Sequence, residues 1–431
     1  MHVNFTNIRE FSSSFIASGL LVSLTAGIAV GESNWNRFRG DNGSGVMAQC
    51  TAPLPWNDSD VAWRIDLPGK GHSSPIIQGD RVFILSADGT SAQRFVLAYD
   101  LATGKELWRE SFDSETHKLH TFSSYASSTP CADSNAVYVA WGAPTSLAVK
   151  AFSHDGKELW SRDLGRHVSG HGFGGSPMRV GDLVIVLDSQ DAEELPPNMS
   201  PGQSSVVALN AATGKLVWRT PLATKRTCYS VPSVTLGPDG KEIVLVNETA
   251  EGICGVDVKT GQPVWKRSVF SKRSVSSPLV VGNLVIGTEG SGGGGNILFA
   301  IDTNNNHELV FDIRRSAPYV PTPVALGNLL FMWEDKGIVS CVELPGGSVV
   351  WSQRIGGNAF TSPVIAGDKL IGVAEDGTVS ILSAARDYKL LGKVKLPLKP
   401  EETVRATPAL REDCVLIRSE SQLFRIGLAK R

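Results

Sequence analysis

No two cysteines of this 431-residue chain are neighbours. Cys50, Cys131, Cys228, Cys254, Cys341 and Cys414 are spread along its length, with no adjacent pair and no C-x-x-C. That spacing excludes a zinc ribbon and a thioredoxin-type redox centre. Cys254 and Cys341 fall in apolar strand-like stretches and read as small buried hydrophobes. Export would permit disulfides, but the sequence assigns no pairing. Net charge is also scarce, at −2, so nothing draws the whole chain to nucleic acid or an anionic membrane. There is no Ser-His-Asp order, nucleophile elbow or helix-borne metal motif, which removes support for the standard hydrolase mechanisms. Gly290–Gly295 lacks the strand–loop–helix setting and the Lys-Ser/Thr of a phosphate loop, and reads as flexible surface. The one long uncharged apolar stretch, Phe15–Val30, is too short and too interrupted by Gly and Ser for a membrane span. His2 and Arg9 precede it, and Gly27-Ile28-Ala29 places small residues for cleavage after Ala29, so residues 1–29 are expected to be a signal peptide. No cysteine ends the run, so a lipid anchor is not indicated.

What the chain has in quantity is turn chemistry. Gly (44) and Pro (23) are frequent and hydrophobic content is 42%, as many short strands around a continuous core require. Residues 30–62 form an irregular lead-in whose aromatics are expected to pack on a neighbouring surface. From Trp63 a pattern recurs. An outer strand bearing Trp is followed by a loop, then Ser/Thr-Pro opening an inner strand, a Gly-Asp or Gly-Asn turn, and two more strands. The second of these ends in Asp or Asn before Thr-Gly and the next Trp. Pro75, Pro130, Pro177, Pro232, Pro278, Pro323, Pro363 and Pro408 mark the inner strands at spacings of 40 to 55 residues. Trp63, Trp108, Trp160, Trp218, Trp265, Phe311, Trp351 and Leu391 mark the outer ones. Four strands per repeat at this period predict β-propeller blades. The two series are offset, because Trp63 precedes the first Ser-Pro strand and no Trp follows the last. Ring closure accounts for this: the strand at Val61–Leu67 would complete the blade begun at Ala406-Thr-Pro408 and pair an otherwise open edge. The expected fold is all-β, an eight-bladed propeller over residues 63–431 closed by the N-terminal strand. The Trp residues are assigned to blade junctions.

Tyr99-Asp100…Trp108, Leu209-Asn210…Trp218 and Val256-Asp257…Trp265 carry an Ala/Leu-x-Asp-x-x-Thr-Gly-x-x-x-Trp consensus. In this the chain resembles the quinoprotein dehydrogenase-like family of pyrroloquinoline-quinone (PQQ) repeats. The lead-in Trp35-x-x-Phe-Arg-Gly-x-x-Gly-x-Gly45 looks like the opening of a large bacterial branch of such proteins. The resemblance implies either a cofactor-free binding subunit, as in the outer-membrane β-barrel assembly machinery, or an enzyme using the quinone with calcium. The enzymes of the family use an Asp base, a calcium held by Glu and Asn, and often an adjacent cysteine pair that this chain lacks.

Function in a propeller sits where the outer-to-inner loops and second-to-third-strand loops emerge, and connectivity places both on one face. The first set is basic. The candidate ligand-binding residues are Lys70, His72, His117, His120, Arg166, His167, His171, Arg226, Tyr229, Arg273, Arg315, Tyr319 and Arg405. Cations converging on a concave mouth would attract an anion. The second set carries acids, including Glu289, Asp335 and Glu375, that would offset this field. His117, His120, His167 and His171 could together present neutral imidazoles to one metal, a use competing with plain exposed loop histidines. Ser189–Ser205, an insertion with Asp191, Glu193 and Glu194, is a candidate lid or partner contact. The reading is therefore an exported, periplasmic or extracellular, non-catalytic monomeric scaffold, with no cofactor and no nucleic acid. It would bind a protein or anionic polymer at its mouth and associate with a membrane assembly. The alternative is a PQQ- and calcium-dependent dehydrogenase of alcohols or sugars; a metal-assisted hydrolase or lyase ranks third.

Overall fold

Val82–Leu85 show why the middle strands read as unbroken apolar runs: every residue is buried, because both faces of the sheet are covered by neighbouring sheets. The computed structural model describes residues 34–195 and 199–427, and these form eight antiparallel four-stranded blades, with no α-helix. The expected signal-peptide cleavage after Ala29 lies outside the described residues, as do Pro196 and Pro197 of the insertion. In chain order the blades span 76–112, 131–163, 178–221, 233–267, 279–313, 324–354 and 364–395, and the eighth combines 409–426 with 61–66. Val61–Asp66 pairs antiparallel with Gln422–Ile426, so the ring closes through the N-terminal strand as the offset series required. The apolar core consists of wedges between blades: one cluster joins blades 2 and 3, another 3 and 4, and the largest joins 7, 8 and 1.

Each blade is built by the same local devices. At Asp100 the carboxylate accepts the N–H of Thr103 at 2.8 Å and its hydroxyl at 2.6 Å, and the Asp100 carbonyl accepts the N–H of Gly104 at 2.8 Å. Asn210 and Asp257 repeat the side-chain arrangement. Every outer strand then carries a register shift. In blade 1 the shift skips Leu107, and the resulting bulge turns Trp108 onto the next blade. The indole Nε1 groups of Trp63, Trp108, Trp160 and Trp218 donate to carbonyls of Leu101, His154, Ala211 and Val258, each in the following blade, at 2.7–3.0 Å.

Blade 7 corrects one assignment. Its bulge skips Leu391, so Gly392 occupies the position filled by Trp elsewhere. The missing ring is replaced from the lead-in: Pro55 sits over Gly392, and Trp56 is buried in the cluster joining blades 7, 8 and 1.

The lead-in does more than cover a surface. Residues 34–47 enter the central channel and bond to the inner strands of five blades. Trp35 exchanges backbone hydrogen bonds with Ile77, Ala132 N–H donates to Asn36 O, and Asn42 pairs with the backbone of Val234. Val46–Met47 adds a short parallel strand to the inner edge of blade 7. Arg39, fully buried, donates to the carbonyls of Thr322, Pro323 and Pro363 at 3.1, 2.7 and 2.9 Å, and to Gly43 at 3.1 Å. Gly40 has φ 66°, and a Cβ there would lie 2.5 Å from the Trp35 ring, which accounts for the Trp-Asn-Arg-Phe-Arg-Gly spacing.

Candidate functional site: a floored funnel

Seven inner strands follow a Ser/Thr-Pro pair and that of blade 4 follows Val231-Pro232, and the residues before the prolines line the throat of a funnel of about 960 Å³. They also bond to one another. The N–H groups of Ser74 and Thr129 donate to the hydroxyls of Thr129 and Ser176; those of Val231, Ser277, Thr322, Ser362 and Thr407 donate to Ser277, Thr322, Ser362, Thr407 and Ser74. The distances are 2.9–3.0 Å, and each bond crosses from one blade to the next. This belt is interrupted between blades 3 and 4, where Val231 offers no hydroxyl to the N–H of Ser176. Phe38 of the lead-in also lines the funnel, so the lead-in forms its floor.

The two loop sets share this face. Of the thirteen candidate residues, His72, His120, His171, Arg226, Tyr229, Arg273, Tyr319 and Arg405 line the funnel. The other five do not. Lys70 pairs with Glu420 at 3.0 Å, and Arg166 donates to the carbonyls of Ser200 and Pro201. His117 is clasped by Tyr125, whose hydroxyl donates to its carbonyl and accepts its N–H. His167 is buried 3.2 Å from Asp188 and edge-on to Phe173, and Arg315 is exposed away from the cavity. The four-histidine grouping is thus divided. His120 and His171 stack with ring centroids 4.8 Å apart, an arrangement of faces rather than of converging nitrogens. Among the described residues, no group of three or more His, Cys, Asp or Glu is placed to hold a metal.

The histidines add little charge. Burial, reinforced by Arg405 and Arg418, lowers His72 to about 3. Burial, then the Arg273 and His120 charges, lowers His171 to about 4. Both are neutral at pH 7. Much of the remaining cation set is committed within the fold. Arg226 pairs with Glu194 at 3.1 Å, and Arg405 pairs with Glu375 while lying over the rings of Phe122 and Phe360. Lys272 Nζ donates to Gly294 O and Gly295 O at 3.0 Å, pinning the loop that the glycines had suggested was free.

The acids of the second loop set brace the basic loops. Glu289 accepts the N–H groups of Ser271 and Lys272, and Asp335 accepts those of Tyr319 and Val320 at 2.7 and 3.0 Å. Asp191, from the 189–205 insertion, accepts those of Gly170 and Thr227 at 2.7 and 2.6 Å. The insertion therefore lies on the mouth, and Glu193 and Glu194 line the funnel.

The result is a two-sided cavity. On one side His171, His120, Phe122, Phe360 and Arg405 form a continuous aromatic and cationic arch, with Phe122 50% exposed. On the other, loops of blades 3 to 6 present Arg226, Tyr229, Arg273 and Tyr319.

The donor set does not fit a quinone–calcium pair. Of the four carboxylates lining the funnel, Glu194 is held by Arg226, Asp335 by two backbone N–H groups and Glu334 by the N–H of Lys336. Among the described residues this leaves the exposed Glu193 as the uncommitted acid, too few ligands for a calcium. The cysteines are all free, and none is adjacent to another.

Fold and cavity define the class: an eight-bladed propeller of PQQ-like repeats with a funnel sealed at one end by its own lead-in. Within that class the chain belongs to the family whose model is described as outer membrane protein assembly factor BamB, which matches residues 54–129, 92–319 and 315–391. It is 26% identical over 378 residues to the outer membrane protein assembly factor BamB of Burkholderia pseudomallei (strain K96243), covering 78% of this chain and 90% of that protein. The crystal structure of BamB from Moraxella catarrhalis is similar with a TM-score of 0.60 at 18% identity, covering 85% of this chain and 96% of that one. A europium-containing methanol dehydrogenase is similar with a TM-score of 0.67 at 12% identity, covering 90% of each chain. At these identities the structural likenesses speak for the fold alone.

Proposed function

We propose that the chain is an exported, periplasmic, non-catalytic scaffold that binds a protein partner at its funnel face within an outer-membrane assembly complex. The observation that carries this reading is the match of the assembly-factor family model, which reaches from residue 54 to residue 391. The cavity supports it: of the funnel acids, Asp335 and Glu334 are spent on bracing loops and Glu194 on Arg226, whereas the aromatics and cations line an open concave surface. In this reading residues 1–29 are a signal peptide removed after Ala29, 30–62 the lead-in and 63–431 the propeller. The mature protein acts as a monomer without cofactor or nucleic acid, and its ligand contacts come from the eight funnel-lining candidates.

Co-purification of the tagged, full-length chain from detergent-solubilised envelope tests the reading. Subunits of the β-barrel assembly machinery should be recovered with it. Recovery without any envelope protein would refute it, as would dye-linked oxidation of an alcohol or sugar on addition of PQQ and Ca²⁺.

A further inference from the structure

The wall formed by blades 3 to 5 holds polar groups that the fold leaves unspent. Arg273 is 8% exposed, and among the described residues it has no carboxylate partner. Its Nε is buried without an acceptor. An unpaired buried guanidinium is costly, because desolvation is not offset by a counter-charge. Here the chain holds it in place by backbone: Gly290 N–H donates to Arg273 O at 2.9 Å. Tyr319 packs directly over Gly290, where a Cβ would lie 2.9 Å from its ring. Tyr229 packs in the same way over Gly174, at 2.8 Å from the corresponding position. That contact accounts for the glycine at 174. The Tyr229 hydroxyl and His171 Nδ1 are likewise buried and make no hydrogen bond among the described residues. Burial pushes both tyrosine hydroxyls up, so they stay protonated donors; the Arg273 charge acts on Tyr229, Tyr319 and His171, and the Tyr319 hydroxyl also lies within hydrogen-bonding reach of Arg273, as the Tyr229 hydroxyl does of Ser169.

We propose that Arg273, with the hydroxyls of Tyr229 and Tyr319, forms a receptor for a single carboxylate of a peptide partner. The ligand class follows from the charge inventory. One uncommitted guanidinium and two neutral O–H donors match one negative charge with several lone pairs. A phosphate dianion would call for a second cation buried beside Arg273, but Arg226 is held by Glu194 and Lys272 by two carbonyls, and the funnel lysines without an acid partner among the described residues, Lys225 and Lys336, are exposed to solvent. The carboxylate is either a chain terminus or an acidic side chain; the chemistry is shared. This inference rests on the protein-binding reading above and names what the funnel recognises.

Calorimetric titration of the full chain at low salt with three probes tests it. The first is N-acetyl-tetra-alanine with a free C-terminus, the second N-acetyl-tetraglutamate amide, the third inorganic phosphate. One of the two peptides should bind, and which one identifies the source of the carboxylate. Arg273→Gln should weaken it at least tenfold, Tyr229→Phe with Tyr319→Phe about three-fold, and Arg226→Gln less than two-fold. Arg273→Lys, which keeps the charge and loses the fork, should fall between wild type and Arg273→Gln. Circular dichroism identifies any variant that fails to fold. For that case the Arg273 Nε–H resonance of the wild-type chain gives an independent readout and should shift on titration. Binding unchanged by Arg273→Gln would overturn the proposal, as would no peptide binding to wild type or phosphate displacing the peptide. Envelope co-purification that survives Arg273→Gln would overturn it too, while leaving the scaffold reading intact.

Discussion

Trp218 and Trp265 occupy equivalent positions in blades 3 and 4, yet the structure treats them differently. Trp218 is 8% exposed, and its Nε1 donates to Val258 O at 3.0 Å. Trp265 is half-buried and stacks on His307 at 4.4 Å, and its Nε1 is buried with no acceptor. Truncation of Trp218 to Ala removes a large ring from a packed junction and should cost about 3–5 kcal/mol. The Phe variants separate packing from hydrogen bonding. Trp218→Phe loses the Val258 bond, a net contribution of about 1 kcal/mol, together with part of the ring contact, for a total of about 1–2 kcal/mol. Trp265→Phe loses no hydrogen bond and removes an unsatisfied buried donor, so its cost should fall below about 0.5 kcal/mol. Urea denaturation followed by far-UV circular dichroism avoids the change in tryptophan signal, and an unchanged m-value certifies the comparison. If Trp265→Phe costs as much as Trp218→Phe, the assignment of hydrogen-bonded and unbonded junctions is refuted.

Further outcomes follow from the same contacts. Arg39→Met should destabilise the chain by about 1–3 kcal/mol, because it leaves buried carbonyls of blades 6 and 7 without donors. It should also speed hydrogen exchange at Ile365 and Gly367, whose N–H groups donate to the lead-in; normal protection there would count against the lead-in as a channel plug. Gly261→Ala places a Cβ 2.6 Å from Trp218 at φ 71° and should cost more than about 1 kcal/mol, whereas Gly282→Asn, with φ 60° and nothing within 4 Å, should be tolerated. Equal losses of urea midpoint in the two would negate the clash argument. Glu248 is buried, which raises its pKa from 4.5 to about 7 against the pull of the Ala250 and Glu251 N–H groups and the Ser189 hydroxyl. The folded state therefore holds this proton after the unfolded chain has released it, and stability should fall as pH rises from about 4.5 to about 7. Glu248→Gln should flatten that part of the profile; an unaltered slope would reject Glu248 as its source.

Much of the fold was legible because its signals are local. Asp100–Trp108 encodes a strand end, a side-chain-stabilised turn and a junction ring within nine residues, and the offset of Pro and Trp series revealed how the ring closes. Leu391 was misplaced because hydropathy marks the larger apolar residue, whereas the bulge that puts Gly392 at the junction is a matter of register. The Ser/Thr before seven of the eight marker prolines was visible, but its partner lies one blade away, so the belt could be seen only in space. The basic loops of the mouth were legible too. Which cations remain available was not, since Arg226, Lys272 and Arg405 are committed to partners that sequence distance hides.

The threaded lead-in also governs the order in which the molecule can be completed. Arg39 finds its carbonyl partners 283, 284 and 324 residues downstream. Val61–Asp66 likewise awaits Gln422–Ile426. During synthesis from the N-terminus, the segment that is made early is therefore the last to acquire its seat. Until then the first-made blades expose an unfilled central bore, and the last-made blade exposes an unpaired edge. A chain halted before blade 6 would lack both the socket for Arg39 and the strand that locks the ring. Completion is thus coupled to full length, and an incomplete product carries its own exposed mark for proteolysis.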